Sequence, residues 1–239
     1  MRKRVHIFIT FLILLTSLMM SAQLDAFQQQ SQFLLNSYVR DGLVDYKSLQ
    51  ENPKTITVLK ESLSKTKVTK LTAQELKAFL INAYNMSVII SITEHYPTSS
   101  VLDIDGFFDK IKHQIAGKSV TLNELEKNWL FKKYPDARLH FALVCGAISC
   151  PPLKDTIFES QNIESKLEKV TKATLNNPKF LTIDMHEKSA SVSKIFDWYR
   201  TDFKKDKSVI NFINKYTDKT IPDGFSLEFK NYDWSLNQK

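Results

Sequence analysis

The sequence predicts an α+β fold, mostly helical, with a small, largely antiparallel sheet around one central buried strand at about 138–145. Three observations predict it. Two Thr-x-x-Glu capping boxes, Thr72/Glu75 and Thr121/Glu124, open helical segments. Short apolar-alternating stretches flank turns at Gly117-Lys118 and His186-Glu187-Lys188, the pattern of two hairpins. Helices and hairpins are segregated along the chain rather than alternating, which distinguishes α+β from a doubly wound α/β sheet.

A first helix is expected over 24–40, with Phe27, Phe33, Leu34 and Tyr38 on its apolar side and Asp41-Gly42 as its stop. A short extended segment at 43–46 leads to a second helix through about residue 64. The helix over 73–95 contains no Gly or Pro and ends before Pro97. It is apolar on all sides, as befits a buried helix, yet Asn82 and Asn85 sit on one face of it. A buried amide without a partner costs about 1–3 kcal/mol, so these two must bind backbone, water or a ligand. Beyond the hairpin at 112–122, the second capping box opens a helix to about residue 133, and Tyr134-Pro135-Asp136 breaks it. The apolar run that follows Arg138 reads as a doubly buried strand ended by Cys145-Gly146. A helix over 160–176, the second hairpin at 180–193, short helices at 195–203 and 206–216, and a tail strand with a docking segment at 226–234 complete the chain.

The N-terminus has the three-part layout of a secretory signal: basic Arg2, Lys3 and Arg4, an apolar run to about Met20, and small residues suited to cleavage after Ala22. The run falls short of the roughly 18–20 apolar residues that a membrane-spanning helix needs. The expected organisation is a signal peptide over 1–22 and a single domain over 23–239. The protein would then be exported, periplasmic or secreted, with no other stretch long and apolar enough to span a bilayer. The 239 residues are 43% hydrophobic and 25% charged, ordinary for a globular fold. The net charge of +7 includes three charges that would leave with the signal, and the remaining positive charge is mostly lysine interleaved with acids. Arginine-poor positive charge of this kind reads as a solvated surface and argues against nucleic-acid binding.

The chemistry-bearing candidates are few. Cys145 and Cys150 are the chain's two cysteines, separated by Gly-Ala-Ile-Ser. In an exported protein such a pair most often forms a disulfide; the rival reading is a reactive thiol at a turn where sites are built. His140 is the nearby base, though on a regular strand its side chain and that of Cys145 lie on opposite faces. The histidines are scattered, and no HExxH or paired CxxC motif is present, so no metal site is expected. Gly-x-Ser-x-Gly and Walker-type loops are absent as well. The clusters around Asp197-Trp198 and Asp233-Trp234 can line a ligand cleft or serve as core aromatics with a polar handle.

Several blocks resemble one family. Leu80-Ile81-Asn82-Ala83-Tyr84-Asn85 is similar to its INAYN helix. Arg138 to Cys145, continued by Ser149-Cys150-Pro151-Pro152-Leu153, is similar to its RIHFALVC…SCPPL signature. Ser193 to Tyr199 and Tyr232 to Leu236 resemble its two C-terminal aromatic blocks. The family is domain of unknown function 547, and the likeness spans nearly all of the chain past the signal. It implies a set of signature positions, namely Asn82, Tyr84, Asn85, His140, Cys145, Ser149, Cys150, Asp197, Trp198, Asp233 and Trp234. It implies no activity, cofactor or catalytic residue. Where the family often has a histidine, this chain has Lys127 after Glu126.

Two functions are therefore expected as rivals. One is a cysteine-dependent hydrolase or acyl-transferase of the cell envelope. Cys150 or Cys145 would be its nucleophile, His140 its base and Asn82 a positioning amide, the residue types of a thiol triad. Asn85, Tyr84, Ser149, Asp197, Trp198, Asp233 and Trp234 would contact a small-molecule or peptide ligand, and no cofactor is called for. The other is a non-catalytic binding domain stapled by a Cys145–Cys150 disulfide.

Overall fold

The computed structural model describes residues 23–239; the expected signal peptide over 1–22 lies outside the described residues. Helix α1 covers 23–38 and runs into a two-stranded ribbon, β1 (Val39–Arg40) and β2 (Leu43–Val44). Helices α2 (Tyr46–Glu51) and α3 (Pro53–Lys65) follow, then α4 (Ala73–Glu94). A hairpin pairs β3 (His113–Ile115) with β4 (Lys118–Val120). A π-helix (Glu124–Phe131), a 3-10 helix (Ala137–Phe141) and α5 (Ile163–Leu175) lead to β5 (Leu181–Asp184) and β6 (Ser189–Val192). The chain closes with α6 (Ile195–Trp198), α7 (Arg200–Phe203), α8 (Val209–Asn214) and β7 (Ser226–Phe229). With 48% helix and 12% strand in sheets of two or three strands, the fold is α+β and mostly helical. In the three-stranded sheet β6 is central, antiparallel to β5 and parallel to β7.

Helix α4 is the axis of the molecule. The Thr72 hydroxyl accepts from the Glu75 amide, and the Glu75 carboxylate accepts from the Thr72 amide at 2.8 Å, closing the expected capping box. Every residue from Lys77 to Thr93 is buried. The helix is long and apolar enough to cross a membrane, contrary to the expectation that no second such stretch exists, but 94% of its most apolar stretch is buried within the fold. A larger core gathers on this helix. A smaller one, built on Phe141, Phe196, Phe203 and Phe212, lies between the three-stranded sheet and α6–α8.

The central strand expected at 138–145 does not form. Its first half is the 3-10 helix and its second half an irregular buried segment. The Asp136 carboxylate accepts from the Arg138 amide at 3.0 Å and from the Arg138 guanidinium, fixing a tight turn at the entry. In place of strand pairing, the Leu139, Ala142 and Leu143 amides make local turn bonds to backbone carbonyls, and the Val144 and Cys145 amides donate to the Asn85 and Cys150 side chains. An apolar run records burial, and burial alone does not separate a strand from another buried backbone path.

Candidate functional site

Two stretches converge on the turn at Cys145, helix α4 and the C-terminal tail. From α4, Asn85 donates to the Ala142 carbonyl at 2.9 Å and accepts from the Val144 amide at 3.0 Å. Three residues earlier on α4, Asn82 clasps Phe158 in the same two-point fashion, at 2.7 and 2.9 Å. Both amides are thereby bonded to backbone on both their donor and acceptor sides. The C-terminal tail zips along the other side of the turn. The Ile148 amide donates to the Ser235 carbonyl at 2.8 Å, the Asn237 amide to the Gly146 carbonyl at 2.9 Å, and the Asp233 amide to the Ser149 hydroxyl at 2.9 Å. Gly146 makes the turn possible: its φ is +80°, and a Cβ there would lie 2.5 Å from Ile92 Cδ1.

Beside the turn lies a cavity of about 290 Å³. Cys145 lines it and is partly exposed, while Cys150 is buried. The two are free thiols, not at disulfide distance, which corrects the expected structural bridge. The turn directs the Cys145 amide onto Cys150 Sγ at 2.8 Å, so the second sulfur serves as an acceptor for the first residue's backbone. Cys145 Sγ in turn lies 3.2 Å from Tyr232 Oη in a hydrogen bond.

The two thiols are driven apart in acidity. Burial raises the Cys145 thiol, but hydrogen bonds from Cys150, from Tyr232 and from the Ala147 and Cys145 amides outweigh it, leaving the pKa below its ordinary value. Burial pushes the Cys150 thiol well up, and its neighbour Cys145 reinforces this. Cys150 Sγ faces the Leu143 carbonyl at 3.9 Å.

His140 lines the same cavity, sandwiched between Phe131 and Tyr199 with ring centroids 4.5 and 4.0 Å away. Its Nε2 lies 2.8 Å from Asp202 Oδ2, a bond that orients the imidazole and leaves Nδ1 for other work. That bond is also the chief reason the Asp202 carboxyl lies below its usual range. No hydrogen bond joins His140 to Cys145 among the described residues; catalytic contacts in ligand-free sites are commonly long and tighten only when substrate binds. The π-helix brings in Glu126, only 7% exposed. Burial raises its pKa, against the opposing pull of His140, Lys127 and the Tyr199 and Tyr84 hydroxyls. A π-helix inserts an extra residue into a turn and commonly marks a functional position.

Of the residues singled out in the sequence, Cys145, Cys150, His140, Tyr84, Trp198 and Trp234 line the cavity. Asn82 and Asn85 stand behind it as tethers. Ser149 and Asp233 hold the tail against the turn, with Asp233 also accepting from the Ser235 amide. Asp197 pairs with Lys194 and Arg200 away from the cavity wall. Glu126, Tyr199, Asp202 and Tyr232 were not singled out as site residues. Tyr199 and Tyr232 fall inside the aromatic blocks, which was the one signal for them; nothing local marks Asp202. Among the described residues no three His, Cys, Asp or Glu side chains gather as a metal-ligand set.

Residues 68–174 match a family described as "Protein of unknown function, DUF547". The matched stretch holds α4, Glu126, His140 and both cysteines; Trp198, Tyr199, Asp202, Tyr232 and Trp234 come from beyond it. No curated protein and no solved structure matches the chain.

Proposed function

Because the chain belongs to the DUF547 family, whose description assigns no activity, function has to be argued from the cavity, and we propose that the protein is a cysteine-dependent acyl-transferring enzyme, a hydrolase or acyl-transferase, with Cys145 as its nucleophile. One observation carries this reading: a cysteine whose thiol pKa is lowered and a carboxylate-oriented histidine line one small cavity. A thiolate is the nucleophilic form of cysteine, and a nearby base oriented by a third group completes the usual arrangement. Cys150 is the buried neighbour whose sulfur accepts from the nucleophile's own amide.

In the first step Cys145 Sγ attacks the acyl carbonyl, a C–S bond forms, and the bond to the leaving group breaks. His140, through Nδ1, takes the proton of the Cys145 thiol as the thiolate forms and gives that proton to the leaving group. Water or an acceptor nucleophile then gives its proton to His140 and attacks the thioester, and the thiolate leaves with the electron pair. Asp202 holds the ring in the tautomer and orientation that this needs. The free state of both thiols disfavours the rival binding domain stapled by a disulfide.

The test is alkylation of the purified full chain with iodoacetamide across pH, followed by peptide mass mapping. Cys145 is expected to label first, with an apparent pKa below the unperturbed value of about 8.5, and Cys150 only after unfolding. Preferential labelling of Cys150, or a Cys145 profile at or above the ordinary value, would remove the thiolate nucleophile. Export to the envelope is part of the same proposal, supported by the layout of residues 2–22. N-terminal sequencing of the protein from its native host is expected to begin at Gln23.

A further inference from the structure

The geometry points to a substrate carrying a small organic cation, an ammonium or quaternary ammonium group, seated among the aromatic rings of the cavity against the Glu126 carboxylate. The inference deepens the acyl-transfer reading and takes from it only that substrate enters at this cavity.

The walls are the first argument. Tyr84, Phe108, Trp198, Tyr199, Tyr232 and Trp234 all line the space. Trp198, Tyr232 and Trp234 pack together with centroids 4.7 to 5.7 Å apart, forming a continuous aromatic side. Trp198 is 45% exposed, an unusual exposure for a residue that completes a packed cluster. Ring faces attract organic cations, most strongly where water is excluded.

Charge is the second argument. The chain has 33 lysines and arginines, yet no lysine or arginine of the described residues lines the cavity. Its acidic group is Glu126, acted on by His140, Lys127 and the Tyr199 and Tyr84 hydroxyls, of which Lys127 does not line the cavity. The other carboxylate nearby, Asp202, is already bonded to His140. Burying a carboxyl is unfavourable unless a partner compensates, and here a space of ligand size lies where the partner would be. An anionic group, whether phosphate or carboxylate, would meet Glu126 and the electron-rich ring faces, with His140, already bonded to Asp202, as the one basic side chain on the wall. The volume of about 290 Å³ lies at the lower edge of ordinary ligand sites, which limits the cation to a compact head group.

Quenching of tryptophan fluorescence in the full chain tests this, because Trp198 and Trp234 line the cavity. The probes are choline, its neutral isostere 3,3-dimethyl-1-butanol, and acetate. Choline is expected to bind saturably and at least about tenfold more tightly than the isostere, the factor that a desolvated cation–π contact supplies. Acetate is expected not to bind. Equal affinity for choline and its isostere, no saturable binding of choline, or saturable binding of acetate overturns the inference. Glu126→Gln, with its melting temperature checked, should lose the preference for choline and keep any weak binding of the isostere; an unchanged preference also overturns it. Should that variant fail to fold, the wild-type ratio decides alone. Cys145→Ser is expected to bind choline as the wild type does, so a dead nucleophile and an absent cation seat give different results.

Discussion

Replacing Asn85 by Ala tests how the turn at Cys145 is held. The substitution removes two hydrogen bonds at once and leaves the Ala142 carbonyl and the Val144 amide without their partners. Both residues are only 5% exposed. A buried polar group stripped of its partner costs about 1–3 kcal/mol, so the pair together costs about 2–5 kcal/mol. Urea unfolding followed by circular dichroism reads this directly, since a urea slope of about 2–3 kcal/mol/M turns it into a midpoint lowered by about 1–2 M. Asn82→Ala provides the control, because it breaks an equivalent clasp on Phe158. The two variants should be destabilised comparably, but only Asn85→Ala should change the rate at which iodoacetamide labels Cys145 in the folded state. A loss below about 1 kcal/mol, or identical labelling of Cys145 in both variants, would refute the view that Asn85 positions the turn.

Three further outcomes follow from the same geometry. Burial lowers the His113 pKa from 6.5 to about 4, and its Nε2 has no partner; the unfolded chain binds the proton first. Stability from this group is therefore complete above pH 6.5 and falls by about 3 kcal/mol as the pH drops toward 4. His113→Leu should flatten the pH dependence of the urea midpoint in that window, and parallel slopes in the two proteins would refute the assignment. Gly146→Ala should destabilise by about 1–3 kcal/mol, because its φ of +80° and the contacts with Ile92 and Val101 both resist a side chain; an unchanged thermal midpoint would count against the turn geometry. Asp202→Asn should slow turnover of an activated acyl ester by about 10²–10⁴, the usual range for proton transfer by a positioned group, while leaving the melting temperature within a few degrees. A rate within threefold of wild type would exclude Asp202 as the orienter of His140.

What could be read in the sequence was local. The capping boxes at Thr72 and Thr121 depend on residues three apart, and both close as expected. The buried character of α4 follows from apolar residues on every side, and the need of Asn82 and Asn85 for partners follows from their burial. What those partners are depends on segments 57 and 76 residues away, which no spacing rule reaches. The strand expected at 138–145 failed for the same reason: a strand is defined by its neighbour, and this segment has its own 3-10 turns and the Asn85 amide in place of one. The π-helix at Glu126 was unreadable because its capping box opens an α-helix and a π-helix alike.

This difference also separates two kinds of signature residue. Asn82, Asn85, Ser149 and Asp233 have hydrogen bonds to other parts of the chain, and each holds a backbone segment in place. Cys145 and His140 each keep a side open to the cavity, the sulfur bonded to Tyr232 and the imidazole to Asp202. A polar group already bonded within the protein must break a native bond before it can meet a ligand, and a buried bond is expensive to leave unmade. A group bonded on one side only can meet the ligand without that loss. By this criterion the amides of α4 are removed from the chemistry although Asn85 holds the turn beside it. Asp202, which no motif marks, enters through the single bond that fixes the imidazole. The criterion fails if removing Asn82 abolishes turnover at full stability, because a tether acts on the reaction only through the backbone it holds.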